Sequence, residues 1–147
     1  MTDYNKINGQ RLAEGQVFNV TETIDPSDIM LYLGVTRDRN PLYDVKRDGD
    51  LMESIVPPIL LMGLITRTIS NHFPGPGTFV KDLSLSIFRQ IHPLDTLTFV
   101  FTLDHLDQRG SGNISVTAST TTGINVLNAT VDVDLPAECL GGESHGS

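Results

Sequence analysis

The sequence predicts an α+β fold in which an antiparallel β-sheet wraps around one buried α-helix. The segment 59–71 is apolar on nearly every side, which is typical of a helix that other elements cover. A run of proline and glycine at 74–77 then breaks the helix. Beyond it, polar and apolar residues alternate along several stretches, as they do in half-buried strands.

The composition fits one globular domain. The chain has 147 residues, of which 39% are hydrophobic and 19% charged, so it has enough apolar material for a single core. We expect one domain over 1–147, with 1–12 and 137–147 as flexible ends. A net charge of −8 argues against a nucleic-acid-binding protein.

A short first helix is predicted from Pro26. Asp25 can cap it, proline suits its first position, and Asp28 favours the positive end of the helix dipole. Gly34 is the predicted stop.

The second helix is predicted to open at Pro57-Pro58 and to end before 72–77. The strands that follow are predicted at 79–88, 96–103, 113–120 and 124–135, within an antiparallel sheet of about five to six strands. In the first strand, the expected inward residues are Phe79, Leu83, Leu85 and Ile87. In the last, the alternation slips near Leu127, which predicts a β-bulge.

The candidate acid-base and hydrogen-bonding residues lie in the segment Asp38-Arg39-Asn40-Pro41-Leu42-Tyr43. Asp38 can act as a base, orient a water, or simply cap the turn backbone. Asn40-Pro41 is a rigid turn that aims its neighbours. A tyrosine hydroxyl is ordinarily a donor at neutral pH because its reference pKa is about 10. Tyr43 can therefore donate a hydrogen bond or merely fill space.

Four basic residues flank this segment: Arg37, Arg39, Lys46 and Arg47. They form either a solvated loop or a local anion site for a phosphorylated ligand. The histidines show no metal-ligand spacing with a carboxylate, so we expect no metal.

These elements, in their order and spacing, resemble the MaoC-like, or (R)-specific enoyl-CoA hydratase, family with its hot-dog fold. The resemblance runs roughly from Phe18 to Pro136 and has three parts. They are the 38–43 segment, the buried helix with Gly63-Leu64, and 74–77 followed by Phe88, Pro93 and Asp95-Thr96-Leu97.

The resemblance implies a substrate that is an acyl thioester on coenzyme A or a carrier protein, with no other cofactor. Water adds syn across the 2,3 double bond, or leaves in the reverse reaction. The implied catalytic residues are Asp38, Asn40, Tyr43 and Gly63, the last as a backbone N–H donor to the enolate oxygen. The implied substrate-binding residues are Arg37, Arg39, Lys46, Arg47, Met62, Pro74 and Gly75.

The chain departs from the family pattern at three positions. Tyr43 stands where the family has its catalytic histidine, and this bears directly on chemistry. Met62 stands at a common histidine and Leu94 at a glycine, and both are attributed to packing. Two alternatives stay open beside an active hydratase or dehydratase: a non-catalytic partner subunit of a heteromeric dehydratase, and an enzyme that uses Asp38 and Tyr43 differently.

The resemblance also implies a homodimer or larger assembly, or a heterodimer with a related subunit, with the site between subunits. The sequence begins without the apolar core of a signal peptide and has no apolar run of about 20 residues. We therefore expect a cytoplasmic protein that contacts neither nucleic acid nor membrane. Its one cysteine, Cys139, excludes an internal disulfide.

Overall fold

The structure is a computed structural model that describes residues 6–7, 10–44 and 54–135. A single antiparallel sheet of five strands has the order β3-β5-β6-β7-β4, and β1 pairs separately with β2. This confirms the predicted α+β fold. Its elements in chain order are β1 (Lys6–Ile7), β2 (Gln10–Arg11), β3 (Val17–Thr23), α1 (Pro26–Thr36), a 3₁₀ turn (Pro41–Tyr43), α2 (Pro58–Asn71), β4 (Phe79–Ile87), β5 (Thr96–Leu106), β6 (Ser111–Thr120) and β7 (Asn125–Asp134).

Helix α1 begins as predicted but ends later. An oxygen of the Asp25 carboxyl accepts from the Ser27 N–H at 2.9 Å, and this bond is the main cause that lowers the pKa of Asp25. The helix continues through Gly34 to Thr36, so the predicted stop was wrong. Arg37 takes the left-handed conformation instead, with φ of 60°, and its N–H donates to the Leu33 carbonyl at 2.8 Å.

Helix α2 opens at Pro58 and lies against the sheet through one face. Leu61, Ile65 and Ile69 on that face are fully buried, and each such burial contributes roughly 1.5–3 kcal/mol. Leu60 and Leu64 are half-buried, and Ile59 is 54% exposed. The helix is therefore central and packed on the sheet, but the described part of the chain does not cover it all round.

Two bulges set which residues of β4 and β7 face the core. Ala118 pairs with Leu127 and Ser119 with Asn125, so Val126 is an extra residue in β7, as the slip near Leu127 predicted. In β4 the extra residue is Lys81, because Val80 pairs with Val133 and Asp82 with Asp132.

The bulge in β4 reverses its alternation. Val80 packs against the core, whereas Phe79 is 65% exposed. The prediction that Phe79 points inward was wrong, since the extra residue moves it to the other face.

Leu94 has the backbone conformation that suits the glycine of the family pattern. Its φ is 72°, in the left-handed region that favours glycine, and its side chain is 55% exposed. Because the side chain is exposed, packing does not account for the leucine, and nothing in the described residues explains it.

In the ranges that the structure describes, no helix is both long and apolar enough to cross a membrane. The expected flexible segment 137–147, with Cys139, lies outside the described residues, as do Lys46 and Arg47. Of the expected flexible segment 1–12, the described residues include β1 and β2.

Candidate functional site

The segment 38–43 forms a tight turn after α1. Asn40 Oδ1 accepts from the Leu42 N–H at 3.1 Å, and the Asn40 carbonyl accepts from the Tyr43 N–H at the same distance. Proline at position 41 suits the first residue of this 3₁₀ turn. Asn40-Pro41 is thus a capped turn that fixes the backbone positions of Asp38 and Tyr43 on either side of it, as the sequence predicted.

Asp38 is held through both carboxylate oxygens. Its Oδ1 accepts from the Asn40 N–H and its Oδ2 from the Tyr32 hydroxyl, each at 3.1 Å. The residue is half-buried. It therefore caps the turn and at the same time presents an oriented carboxylate, so the two interpretations of Asp38 are not exclusive.

Tyr32, which contacts Asp38, was not among the residues singled out from the sequence. Its pKa is raised, first by desolvation, then by the hydrogen bond to Asp38 and by that residue's charge. The Tyr32 hydroxyl thus stays protonated and keeps donating. Its spacing of six residues before Asp38 could be recognised as meaningful only once α1 was known to continue to Thr36.

Asp38 borders a pocket of about 440 Å³ at the end of α1, here called the polar pocket because four of its lining residues are charged. The charged residues of its lining are Arg37, Arg39, Asp38 and Asp44, two of each sign. The predicted basic cluster is therefore balanced by carboxylates in the described part of the site. The pocket is lined by Leu33, Gly34, Arg37, Asp38, Arg39, Asn40, Pro41 and Asp44.

Tyr43 borders a different pocket, here called the Tyr43 pocket, of about 290 Å³ and mostly apolar. It lies between the 3₁₀ turn, the start of α2 and the end of β4. Its lining is Leu42, Tyr43, Ile55, Val56, Pro58, Leu61, Ile87, Phe88, Arg89, Gln90 and Ile91. The turn thus separates Tyr43 and the start of α2 from the pocket that Asp38 borders.

Gly63 borders a third cavity, a groove of about 400 Å³ between α1 and α2 that Tyr32 also lines. Gly63 is the sixth residue of α2. In an α-helix the N–H of the sixth residue already bonds to the carbonyl four residues earlier, so it is not a free donor at the helix start. The physical premise for Gly63 as an oxyanion donor therefore does not hold in this chain.

The other predicted substrate-binding residues lie apart from the Tyr43 pocket. Met62 is half-buried within α2, one turn beyond Pro58. Pro74 and Gly75 are buried in the turn that follows α2, about 20 Å along the helix axis from Pro58. These two residues follow the helix end and do not line the Tyr43 pocket.

The described histidines do not take the place of the missing imidazole. His92 Nδ1 lies 2.7 Å from the Ser54 carbonyl, His105 pairs with Glu14, and His72 stacks on Phe18. The linings of the polar pocket and the Tyr43 pocket contain no histidine among the residues described. Within the same residues, no group of three or more His, Cys, Asp or Glu side chains could hold a metal ion.

Comparison with known proteins connects this geometry to a class. No family model matches the chain. The (R)-specific enoyl-CoA hydratase of Rhodospirillum rubrum is 28% identical over 129 residues, which cover 86% of this chain and 90% of that protein.

Solved structures match the fold. R-hydratase PhaJ1 from Pseudomonas aeruginosa gives a TM-score of 0.75 at 23% identity, over 86% of this chain and 83% of that one. A chain of the ChsH1-ChsH2 complex from Mycobacterium tuberculosis gives 0.70 at 22% identity, over 84% and 98%. The protein has the hot-dog fold. Its resemblance to the MaoC-like, (R)-specific enoyl-CoA hydratase family is confirmed, and the comparisons point to the hydratase/dehydratase class of that fold.

Proposed function

We propose that this chain binds an acyl thioester and hydrates or dehydrates it at an altered site in which Asp38 orients the water. The observation that supports this most is the carboxylate of Asp38, fixed on one oxygen by Tyr32 and on the other by its own turn. A carboxylate held in this way is pre-organised to accept hydrogen bonds from water.

In hydration, the water oxygen bonds to C3 of the 2-enoyl group and a proton is added at C2. Negative charge develops on the thioester oxygen in between. Asp38 can accept a proton from the water and pass it to C2. The Tyr43 hydroxyl can donate a hydrogen bond, which requires that the substrate span the turn between the two pockets. An imidazole would do both tasks in turn, so a site with tyrosine at this position is expected to be slow.

The carrier is proposed to be coenzyme A or a carrier protein, with its phosphates near Arg37, Arg39, Lys46 and Arg47. Two of these, Arg37 and Arg39, line the polar pocket beside Asp38. If the phosphate part is right, replacing Arg37 and Arg39 with glutamine weakens CoA binding and flattens its salt dependence. Unchanged affinity and salt dependence would exclude a contact between these arginines and the phosphates.

The test of the function is crotonyl-CoA hydration by the purified chain alone, with Asp38→Asn as the matched variant. Turnover that is measurable and is lost in Asp38→Asn supports the proposal. Acyl-CoA binding without turnover would favour the second candidate, and absence of both would overturn the proposal.

The second candidate is a non-catalytic subunit that completes a heteromeric dehydratase whose other subunit carries the Asp-His pair. It is favoured by the start of α2. Pro57 and Pro58 have no N–H, and the Leu60 N–H already donates to the Pro57 carbonyl at 3.1 Å. The helix start therefore offers few donors for an enolate oxygen.

Assembly through the edge of β4 is proposed for either candidate. This edge strand has β7 as its neighbour on one side, and it bears Phe79 at 65% and Ile87 at 37% exposure. Phe88, directly after it, is 55% exposed. The opposite edge, β3, is mostly polar beyond Val17. An open edge strand with exposed apolar residues at both of its ends favours pairing with a strand of a second copy or of a related subunit.

A further inference from the structure

The base of the Tyr43 pocket is apolar and buried, and backbone hydrogen bonds join the segments that form its walls. Val56, Leu61 and Ile91 are each at most 2% exposed. The Ile55 N–H donates to the Leu42 carbonyl at 2.8 Å, and the Val56 N–H donates to the Ile91 carbonyl at 2.7 Å. These two bonds join the 3₁₀ turn, the approach to α2 and the loop after β4, which together form the walls of the pocket.

The polar side chains of this pocket are Tyr43, Arg89 and Gln90, and its described lining contains no carboxylate. Each of the three can donate a hydrogen bond, and Arg89 also carries a positive charge. The carboxylates of Asp38 and Asp44 lie in the polar pocket instead. The Tyr43 pocket therefore suits a ligand with an apolar end and an acceptor oxygen.

Arg89 borders the same pocket as Pro58, the residue that opens α2. Because Pro58 has no N–H, the helix start cannot donate from this position. Arg89 is the positively charged residue of the described lining, and its guanidinium can donate in place of the helix start. Charge-assisted hydrogen bonds are about twice as strong as neutral ones.

We infer that the Tyr43 pocket holds the acyl chain of a short-chain thioester and that Arg89 donates to the thioester carbonyl oxygen. This inference rests on the proposed function: it places the acyl chain and its carbonyl on the Tyr43 side of the turn, with the water on Asp38 approaching from the polar pocket on the other side. The volume of about 290 Å³ is at the lower end for ligand pockets, which favours a short acyl group.

The experiment measures binding of butyryl-CoA, dodecanoyl-CoA, free CoA and butyrate to the full chain by calorimetry. Arg89→Gln is compared with Arg109→Gln, a control in the exposed turn between β5 and β6. We expect Arg89→Gln to weaken butyryl-CoA about tenfold or more and to leave free CoA unchanged, because the contact is with the carbonyl. Arg109→Gln should change neither, and dodecanoyl-CoA should bind more weakly than butyryl-CoA.

The outcomes separate this inference from the proposed function. Butyryl-CoA that binds equally to wild type and Arg89→Gln overturns the role of Arg89 while the proposed function stands. An equal loss for free CoA would place Arg89 on the carrier and overturn the carbonyl contact. Butyrate that binds as tightly as butyryl-CoA would make this a carboxylate site, and dodecanoyl-CoA as the tighter ligand would overturn the short-chain part. If no acyl-CoA binds, the proposed function fails first.

Discussion

The hydroxyl of Tyr32 donates a hydrogen bond to Asp38 Oδ2 at 3.1 Å, across the end of α1. The other oxygen of Asp38 is held by the Asn40 N–H. A residue of the helix and a residue of the turn thus fix the carboxylate between them. The orientation of Asp38 depends on α1 reaching Thr36, because the helix sets where Tyr32 lies relative to the turn.

Tyr32→Phe is expected to lower the crotonyl-CoA hydration rate about tenfold while leaving KM nearly unchanged, because it loosens Asp38 without removing a substrate contact. Steady-state kinetics measures both constants. Thr122→Val is the control, because it removes an exposed hydroxyl in the turn between β6 and β7. A change in KM alone would show that Tyr32 binds substrate instead of positioning Asp38.

The stability contributed by Tyr32 should fall at high pH. Its folded-state pKa is raised above the unfolded value of about 10, so the contribution is complete below that pH and is lost as pH rises through the folded pKa. Urea unfolding of wild type and Tyr32→Phe between pH 8 and pH 11 measures this. The difference in unfolding free energy between the two proteins should shrink above about pH 10. A difference that grows with pH would contradict the sign.

Tyr43→His is expected to raise hydration of crotonyl-CoA, since a missing acid-base group commonly costs about 10²–10⁴-fold. The gain requires that the imidazole reach the water that Asp38 orients. Tyr43→Phe tells the roles of ring and hydroxyl apart, because its activity falls only if the hydroxyl takes part. Wild-type turnover at ordinary enzyme rates, unaffected by Tyr43→His, would show that position 43 does not limit the reaction.

Charges at the β4 edge should weaken assembly. Phe79→Lys combined with Ile87→Lys places lysines along the exposed edge, and we expect the dissociation constant of the assembly to rise by more than about tenfold. Sedimentation velocity measures it. Val17→Lys, on the opposite edge strand β3 and 50% exposed in wild type, is the control and should change little. A wild-type monomer at micromolar concentration would exclude self-assembly through this edge.

Ile65→Ala and Ile59→Ala test which face of α2 is buried. Ile65 is fully buried, so its truncation should cost about 2–5 kcal/mol of unfolding free energy. Ile59 is 54% exposed and should change stability by less than about 0.5 kcal/mol. Chemical denaturation measures both. Equal losses would mean that both faces of α2 are covered in solution, as a tight assembly would cause.

The fold and its order of elements followed from the sequence because local patterns determine them. The apolar segment at 59–71 indicates a buried helix, and the proline and glycine run after it marks where that helix ends. The alternating stretches follow the two-residue period of β-strands. The cap at Asp25 and the bulge near Leu127 were also readable, since both depend on neighbouring residues. The turn at Asn40-Pro41 was readable for the same reason, whereas the catalytic role of the 38–43 segment was implied by the resemblance.

The tertiary structure decided how the site residues are distributed. The turn separates Asp38 from Tyr43 into two pockets, and the helix register places Gly63 in a third, which no local pattern specifies. Tyr32 joins the site because α1 continues two residues past Gly34. Arg89 reaches the Tyr43 pocket because β4 ends beside α2, a contact between segments distant in sequence. Such contacts depend on how elements pack, and packing is a property of the whole chain.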